Sequence, residues 1–271
     1  MNVHESIRYS WPLNPPPTPR TNVLGVGVCA INMEDAIRLS DSLIRKNGRG
    51  YVCATGVHGV MEAQADQAFR GILNRAFIAT PDGMPMVWIG RLVGHHRVRQ
   101  VSGPDYMFEL CRFSVDQGYR HFLYGGAEGV AEHLAAELER KIPGLQIAGT
   151  YTPPFRPLNL TEEAELTALV AEAKPDVFWV GLSTPKQERF MSYYLDKLDV
   201  KLMVGVGAAF DIHTGRIKDA PRWVKNVGMQ WLHRLLQEPR RLWRRYLINN
   251  PRFIWNISLQ FLGFYKFTID G

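Results

Sequence analysis

Four short segments place polar side chains or glycines where an apolar run gives way to a helix-like pattern. TPDGMP (80–85) sets the carboxylate Asp82 between Pro81 and Gly83. At such a position an acid serves as a helix cap or turn residue, or as a general base aimed at a substrate hydroxyl. YVCATGVHG (51–59) ends an apolar run on Thr55 and follows it with His58. That histidine either orients its loop or contacts a ligand. FLYGGAEG (122–129) carries Gly125, Gly126 and Gly129, which let backbone N–H groups approach a phosphate or simply make a tight turn. VGLSTPKQE (180–188) places Lys186, Gln187 and Glu188 at another helix start.

The elements that must position these residues follow from the apolar pattern. Short apolar runs alternate with helix-period segments, which predicts βα repetition and a mostly parallel, Rossmann-like sheet of the α/β class. Strands are expected near Val23–Val28, Tyr51–Thr55, Phe77–Thr80, His121–Tyr124, Leu145–Tyr151, Val177–Leu182 and Lys201–Val206. Helices are expected at Met33–Lys46, Gly59–Arg75, Met84–Leu92, Asp105–Gln117, Gly129–Lys141, Glu162–Ala173 and Pro185–Leu195. In such a sheet, ligands bind beyond the carboxyl ends of the strands, where all four polar segments fall.

From Pro221 the pattern changes to aromatics and leucines interleaved with arginines at helical spacing. Pro239 and Pro251 are expected to divide this stretch into short helices. The organisation predicted is an extended or disordered arm over 1–20, an α/β catalytic domain over 21–215, and a basic, aromatic-rich helical appendage over 216–271.

Charge sharpens that division. The 271 residues are 46% apolar and 21% charged with a net charge of +6, which excludes general disorder. Ten basic and two acidic residues lie between Gly215 and Arg252, so the remainder, with 22 basic and 24 acidic residues, is slightly acidic. A basic segment on an acidic body implies a localised polyanion partner: nucleic acid, an anionic membrane surface or a phosphorylated substrate. On charge alone the segment reads equally as an amphipathic helix packed on the body with a solvated face.

Cys29, Cys53 and Cys111 form no CxxC pair, which suits a reducing compartment. The N-terminus lacks the apolar core of a signal peptide, and no run is long enough to span a bilayer. The expected location is therefore cytoplasmic. The histidines show no metal-ligand spacing, and no DxD pair is present. GVGVCA (25–30) and GVGAAF (205–210) both lack the third glycine of a dinucleotide fingerprint, which disfavours an oxidoreductase.

Taken together, TPDGMP, VSGPDYM, FLYGGAEGVAE, PDVFWVGLSTPKQE and GVGAAFDIHTGRIKDAPRW, followed by QWLHRLLQEPRRLWRRY, resemble the WecG/TagA/CpsF glycosyltransferase family from about Val23 to Tyr246. The resemblance implies an inverting, metal-independent transfer of a sugar from a UDP-sugar to a polyprenyl-diphosphate-linked glycan. The product would be an exopolysaccharide or cell-surface polysaccharide, and the donor UDP-glucose or UDP-N-acetylmannosamine. The implied setting is the cytoplasmic face of the inner membrane, held peripherally by the appendage. By resemblance, Asp82 is the base, and Thr55 and Gln187 lie in the pocket. Two departures stand out. Thr55-Gly56-Val57-His58 replaces the family's Thr-x-Asn, which puts His58 in the place of a polar contact. Gln100, beside Arg99, stands where many members carry an arginine.

For a leaving diphosphate, positive potential would come from the Gly125–Gly126 turn, Lys186 and appendage arginines, with Arg216, Arg222 and Arg234 closing over the donor. Two other classes compete. A nucleic-acid-binding protein would use the basic segment, but the acidic body and the lack of any recognised binding motif speak against it. A sugar-nucleotide oxidoreductase would show nicotinamide-dependent absorbance changes.

Overall fold

The computed structural model describes residues 18–269, so most of the expected N-terminal arm lies outside the described residues. The chain begins with an antiparallel hairpin, β1 (Arg20–Val23) and β2 (Val26–Cys29). This corrects the single strand expected over Val23–Val28. Leu24 and Gly25 both take positive φ, and the chain reverses there.

Six further strands form one parallel sheet: β3 (Gly50–Thr55), β4 (Ile78–Pro81), β5 (Arg120–Gly125), β6 (Gln146–Tyr151), β7 (Val177–Gly181) and β8 (Leu202–Gly205). Their order across the sheet is β4-β3-β8-β7-β5-β6. Alternate residues of each strand enter one of two cores, because successive side chains point to opposite faces. Val52, Leu123, Trp179 and Val204 pack into one core. Their neighbours Tyr51, Cys53, Phe122, Tyr124, Phe178 and Met203 pack into the other. Helices cover both faces, as a parallel sheet requires.

The first core is closed by α1 (Met33–Arg45), α5 (Gly103–Gln117) and α6 (Val130–Lys141). The second is closed by α2 (Val57–Ala65), α3 (Gln67–Arg75), α7 (Leu160–Ala173) and α8 (Lys186–Tyr194). The one helix expected over Gly59–Arg75 is thus two. Asp66 is extended between them, and its carboxylate caps α3 by accepting the Phe69 N–H at 2.9 Å. The helix expected from Glu162 starts at Leu160 instead, because Asn159 caps it and the Asn159–Glu162 capping box satisfies the first orphan N–H groups.

After α4 (Met84–Leu92) and α9 (Ala209–His213), the C-terminal part is helical: α10 (Arg222–Asn226), α11 (Gln230–Gln237) and α12 (Pro239–Phe261). Pro239 does separate two helices, sitting in the first turn of α12 where its missing N–H costs nothing. Pro251 does not, because α12 runs through it for 23 residues. Phe253, only 4% exposed, joins the second core and Ile257 packs against it, so tertiary contact offsets the lost backbone hydrogen bond. The hairpin grips the far end of α12. Gln260 accepts the Leu24 N–H at 2.8 Å and donates to the Asn22 carbonyl at 2.9 Å.

Candidate functional site

A cavity of about 650 Å³ opens beyond the carboxyl ends of four neighbouring strands and is roofed by the C-terminal helices. The loops after β3, β4, β7 and β8 supply its floor, because these strands are adjacent in the order β4-β3-β8-β7. Asp82, His58 and Gln187 line it, and Arg234, Arg241 and Arg245 reach it from α11 and α12.

Asp82 follows β4 directly. Its N–H donates to the Thr55 carbonyl at 3.1 Å and the Thr80 carbonyl at 2.9 Å, which pins the backbone beneath the carboxylate. The loop after β3 passes very close by. A Cβ at Gly56 would lie 2.7 Å from the Asp82 carbonyl, so only glycine permits the approach. Desolvation pushes the Asp82 carboxyl up to about 6, against the opposing pull of Arg245, Arg234 and Lys225. It is therefore largely ionised at neutral pH yet basic enough to accept a proton.

His58 is lowered to about 4, by desolvation first and by Arg245 second. The ring is thus neutral, and its Nδ1 accepts from Asn249 of α12 at 3.4 Å. Its 3.6 Å approach to Glu62 is accordingly not an ion pair at neutral pH.

Gln187 is 1% exposed and held from both sides. Its Oε1 accepts the Gly207 N–H at 2.9 Å, and its Nε2 donates to Glu188 Oε1 at 2.9 Å. Thr184 donates to the same Glu188 oxygen at 2.8 Å, while Oε2 has no protein partner. Burial raises the Glu188 carboxyl above its usual range.

The arginines make the roof positive. Arg234 lies 3.6 Å from Glu238, which also pairs with Arg241 at 2.7 Å. Arg245 has no ion pair among the described residues, and the Nε atoms of both Arg234 and Arg245 are buried without a partner. Desolvation, reinforced by Arg234, lowers Arg245 from its ordinary value. Cations drawn together out of water in this way suit a bound polyanion. Among the described residues, no three His, Cys, Asp or Glu side chains are grouped as metal ligands.

Several expected residues lie elsewhere. Thr55 is buried with its hydroxyl on the Cys53 carbonyl, so its part is to hold Asp82 through its backbone. Gly125 ends β5 and Gly126 follows it, next to β7 but beyond the four cavity strands, and neither lines the cavity. A Cβ at Gly125 would lie 2.8 Å from the Gly181 carbonyl, so this glycine answers to strand packing. Lys186 is exposed outside the cavity. Arg216, paired with Asp211 at 3.5 Å, and Arg222 also lie outside it. Gln100 does line the cavity, donating to Gln230 of α11 at 3.2 Å, whereas Arg99 turns onto nearby backbone carbonyls.

Arg241 and Arg245, which read in the sequence as membrane-facing members of the basic run with Arg240 and Arg244, line the cavity instead. Their signal is an i,i+4 pair that shares one face of α12, while Arg240 and Arg244 face solvent.

The sequence model described as the Glycosyl transferase WecG/TagA/CpsF family matches residues 21–266. A Bacillus spizizenii protein named N-acetylglucosaminyldiphosphoundecaprenol N-acetyl-beta-D-mannosaminyltransferase is 27% identical over 216 residues, covering 80% of this chain and 81% of that protein. A Bacillus subtilis protein of the same name is 28% identical over 182 residues, covering 67% of this chain and 69% of that protein. With a matching α/β fold and a cavity built from the motif loops, the chain belongs to the WecG/TagA/CpsF family and is a glycosyltransferase.

Proposed function

We propose that this glycosyltransferase moves a sugar from a UDP-sugar, of the UDP-glucose or UDP-N-acetylmannosamine type, to a polyprenyl-diphosphate-linked glycan. The product belongs to exopolysaccharide or cell-surface polysaccharide assembly. The observation that carries the reading is the ionisable Asp82 carboxyl at about 6, facing Arg234, Arg241 and Arg245 across one cavity. Asp82 takes the proton from the acceptor hydroxyl as that oxygen attacks the anomeric carbon. The bond from the anomeric carbon to the UDP oxygen breaks on the opposite face, which inverts the configuration. UDP leaves with the bonding electrons, and Arg234 of α11 balances its charge without a metal. Neutral His58 and the remaining N–H of Gln187 supply polar contacts to the sugars.

A lipid-linked acceptor requires work at the membrane surface, here the cytoplasmic face. No helix among the described residues is long and apolar enough to cross a membrane. Exposed Trp255, Leu262, Phe264 and Tyr265 near the end of the chain suit peripheral contact with lipid. Three arginines of the basic segment turn into the cavity instead of forming an open strip, which favours a lipid diphosphate over nucleic acid as its anion.

The test is transfer from a panel of UDP-sugars to a short-chain polyprenyl-diphosphate N-acetylglucosamine, with and without EDTA, reading product stereochemistry by NMR. Inverted product from one donor, undiminished by chelator, supports the reading. Retained configuration, or no transfer from any donor, overturns it.

A further inference from the structure

The cavity does not end at its charged residues. Its lining along α12 changes from Arg241 and Arg245, through Asn250, to Ile254, Ile257 and Phe261. At 1.5 Å per residue, Arg245 and Phe261 are about 24 Å apart along the helix axis. The opposite wall is α4, whose Trp88 and Leu92 continue away from Asp82 on one helix face.

Both walls are built features. Gly228 sits against Trp88 so closely that a Cβ there would lie 2.7 Å from the indole. The end of α12 is tied to the β1–β2 hairpin through Gln260. Yet this end of the cavity exposes Leu92 at 74%, Ile254 at 63% and Phe261 at 48%. Large apolar side chains ringing the mouth of a cavity mark a place where an apolar ligand covers them.

We propose that the groove between α4 and the C-terminal half of α12 holds the isoprenoid chain of a lipid diphosphate whose diphosphate lies at Arg241 and Arg245, on the same helix. Continuity with the cationic end selects this occupant. A ligand with an anionic head and an apolar tail matches both ends of one cavity, whereas the exposed Trp255, Leu262 and Phe264 lie outside its lining. Burying successive methylenes against the groove holds the acceptor, while the glycan at the other end meets Asp82. The inference rests on the proposed function for the identity of the lipid.

Calorimetric binding of geranylgeranyl diphosphate, against inorganic diphosphate as the chain-free probe, tests it without vesicles or detergent. The wild-type chain is expected to bind the prenyl compound at least about tenfold tighter. The double variant Leu92→Ser/Phe261→Ser should lose most of that preference while keeping its affinity for inorganic diphosphate, and Arg245→Ala should weaken both. No preference in the wild type, or a preference kept by the double variant, overturns the groove. Should the double variant fail to fold, Ile254→Ser at an exposed position gives the same reading. Sugar transfer to a short-chain acceptor judges the function separately. Transfer without chain preference removes only the groove, and chain preference without transfer from any UDP-sugar removes only the function.

Discussion

The side-chain oxygen of Gln187 accepts the Gly207 N–H at 2.9 Å, tying the start of α8 to the loop after β8. Glu188 holds the other end of the same amide, so its orientation is dictated and one N–H is left to face the cavity. Removing the acceptor at Glu188 should release it. Glu188→Leu is expected to lower kcat/KM by at least about tenfold, through mispositioning. Glu188→Gln keeps an acceptor oxygen and should stay within about threefold of wild type. Steady-state kinetics on both variants checks this, and equal losses would reduce the pair to a packing effect.

Asp82→Asn should cost roughly 10²–10⁴-fold in turnover, the range of a general base. The same change should stabilise the fold. Above pH about 6 the native carboxylate is ionised in a desolvated site, while in the unfolded chain it is ionised in water. Relief of that cost is worth about 1–2 kcal/mol at pH 7, discounted because the cavity admits water. Below pH about 4 both states are protonated, and the gain should vanish. Thermal melts at pH 4 and pH 7 read the difference directly.

The pH profile of kcat/KM should fall about tenfold per unit below pH 6, as Asp82 takes up a proton. His58 remains neutral down to about 4 and should contribute no limb near 6.5. A limb near 6.5 that disappears in His58→Gln would reverse the assignment.

The arginines separate by position. Arg245→Ala should raise the KM for the diphosphate substrate about tenfold or more, because a buried charge-assisted contact is lost. Arg216→Ala removes a cation outside the cavity and should stay within about twofold. A larger loss at Arg216 than at Arg245 would mean the roof closes differently when substrate is bound.

Flotation with anionic vesicles should weaken on Trp255→Ser/Phe264→Ser, two exposed residues outside the cavity lining. Vesicle binding unchanged by this double substitution would assign membrane contact to other residues.

The sheet strands were legible because each is a short apolar run followed by turn residues, and the loops at their ends named Asp82, His58 and Gln187 directly. The hairpin at Leu24–Gly25 was not, since six apolar or small residues in a row read as one strand until two positive φ angles reverse the chain. The break at Asp66 was hidden for a related reason. A capping aspartate inside a helical pattern looks like any exposed acid until its partner N–H is seen.

The amino-acid sequence alone determined the α/β class, the family, the strand-end carboxylate and the uneven charge, because these depend on local pattern and composition. Only the tertiary structure decided which of the motif residues meet. Strand order brought the loops after β3, β4, β7 and β8 together and set the Gly125–Gly126 turn apart. Burial of Phe253 carried α12 through Pro251, so that Arg245 and Phe261 line one cavity. The physical reason is that side-chain convergence depends on which elements pack side by side, and residues such as Asp82 and Arg245 are neighbours only after the sheet and its roof have formed.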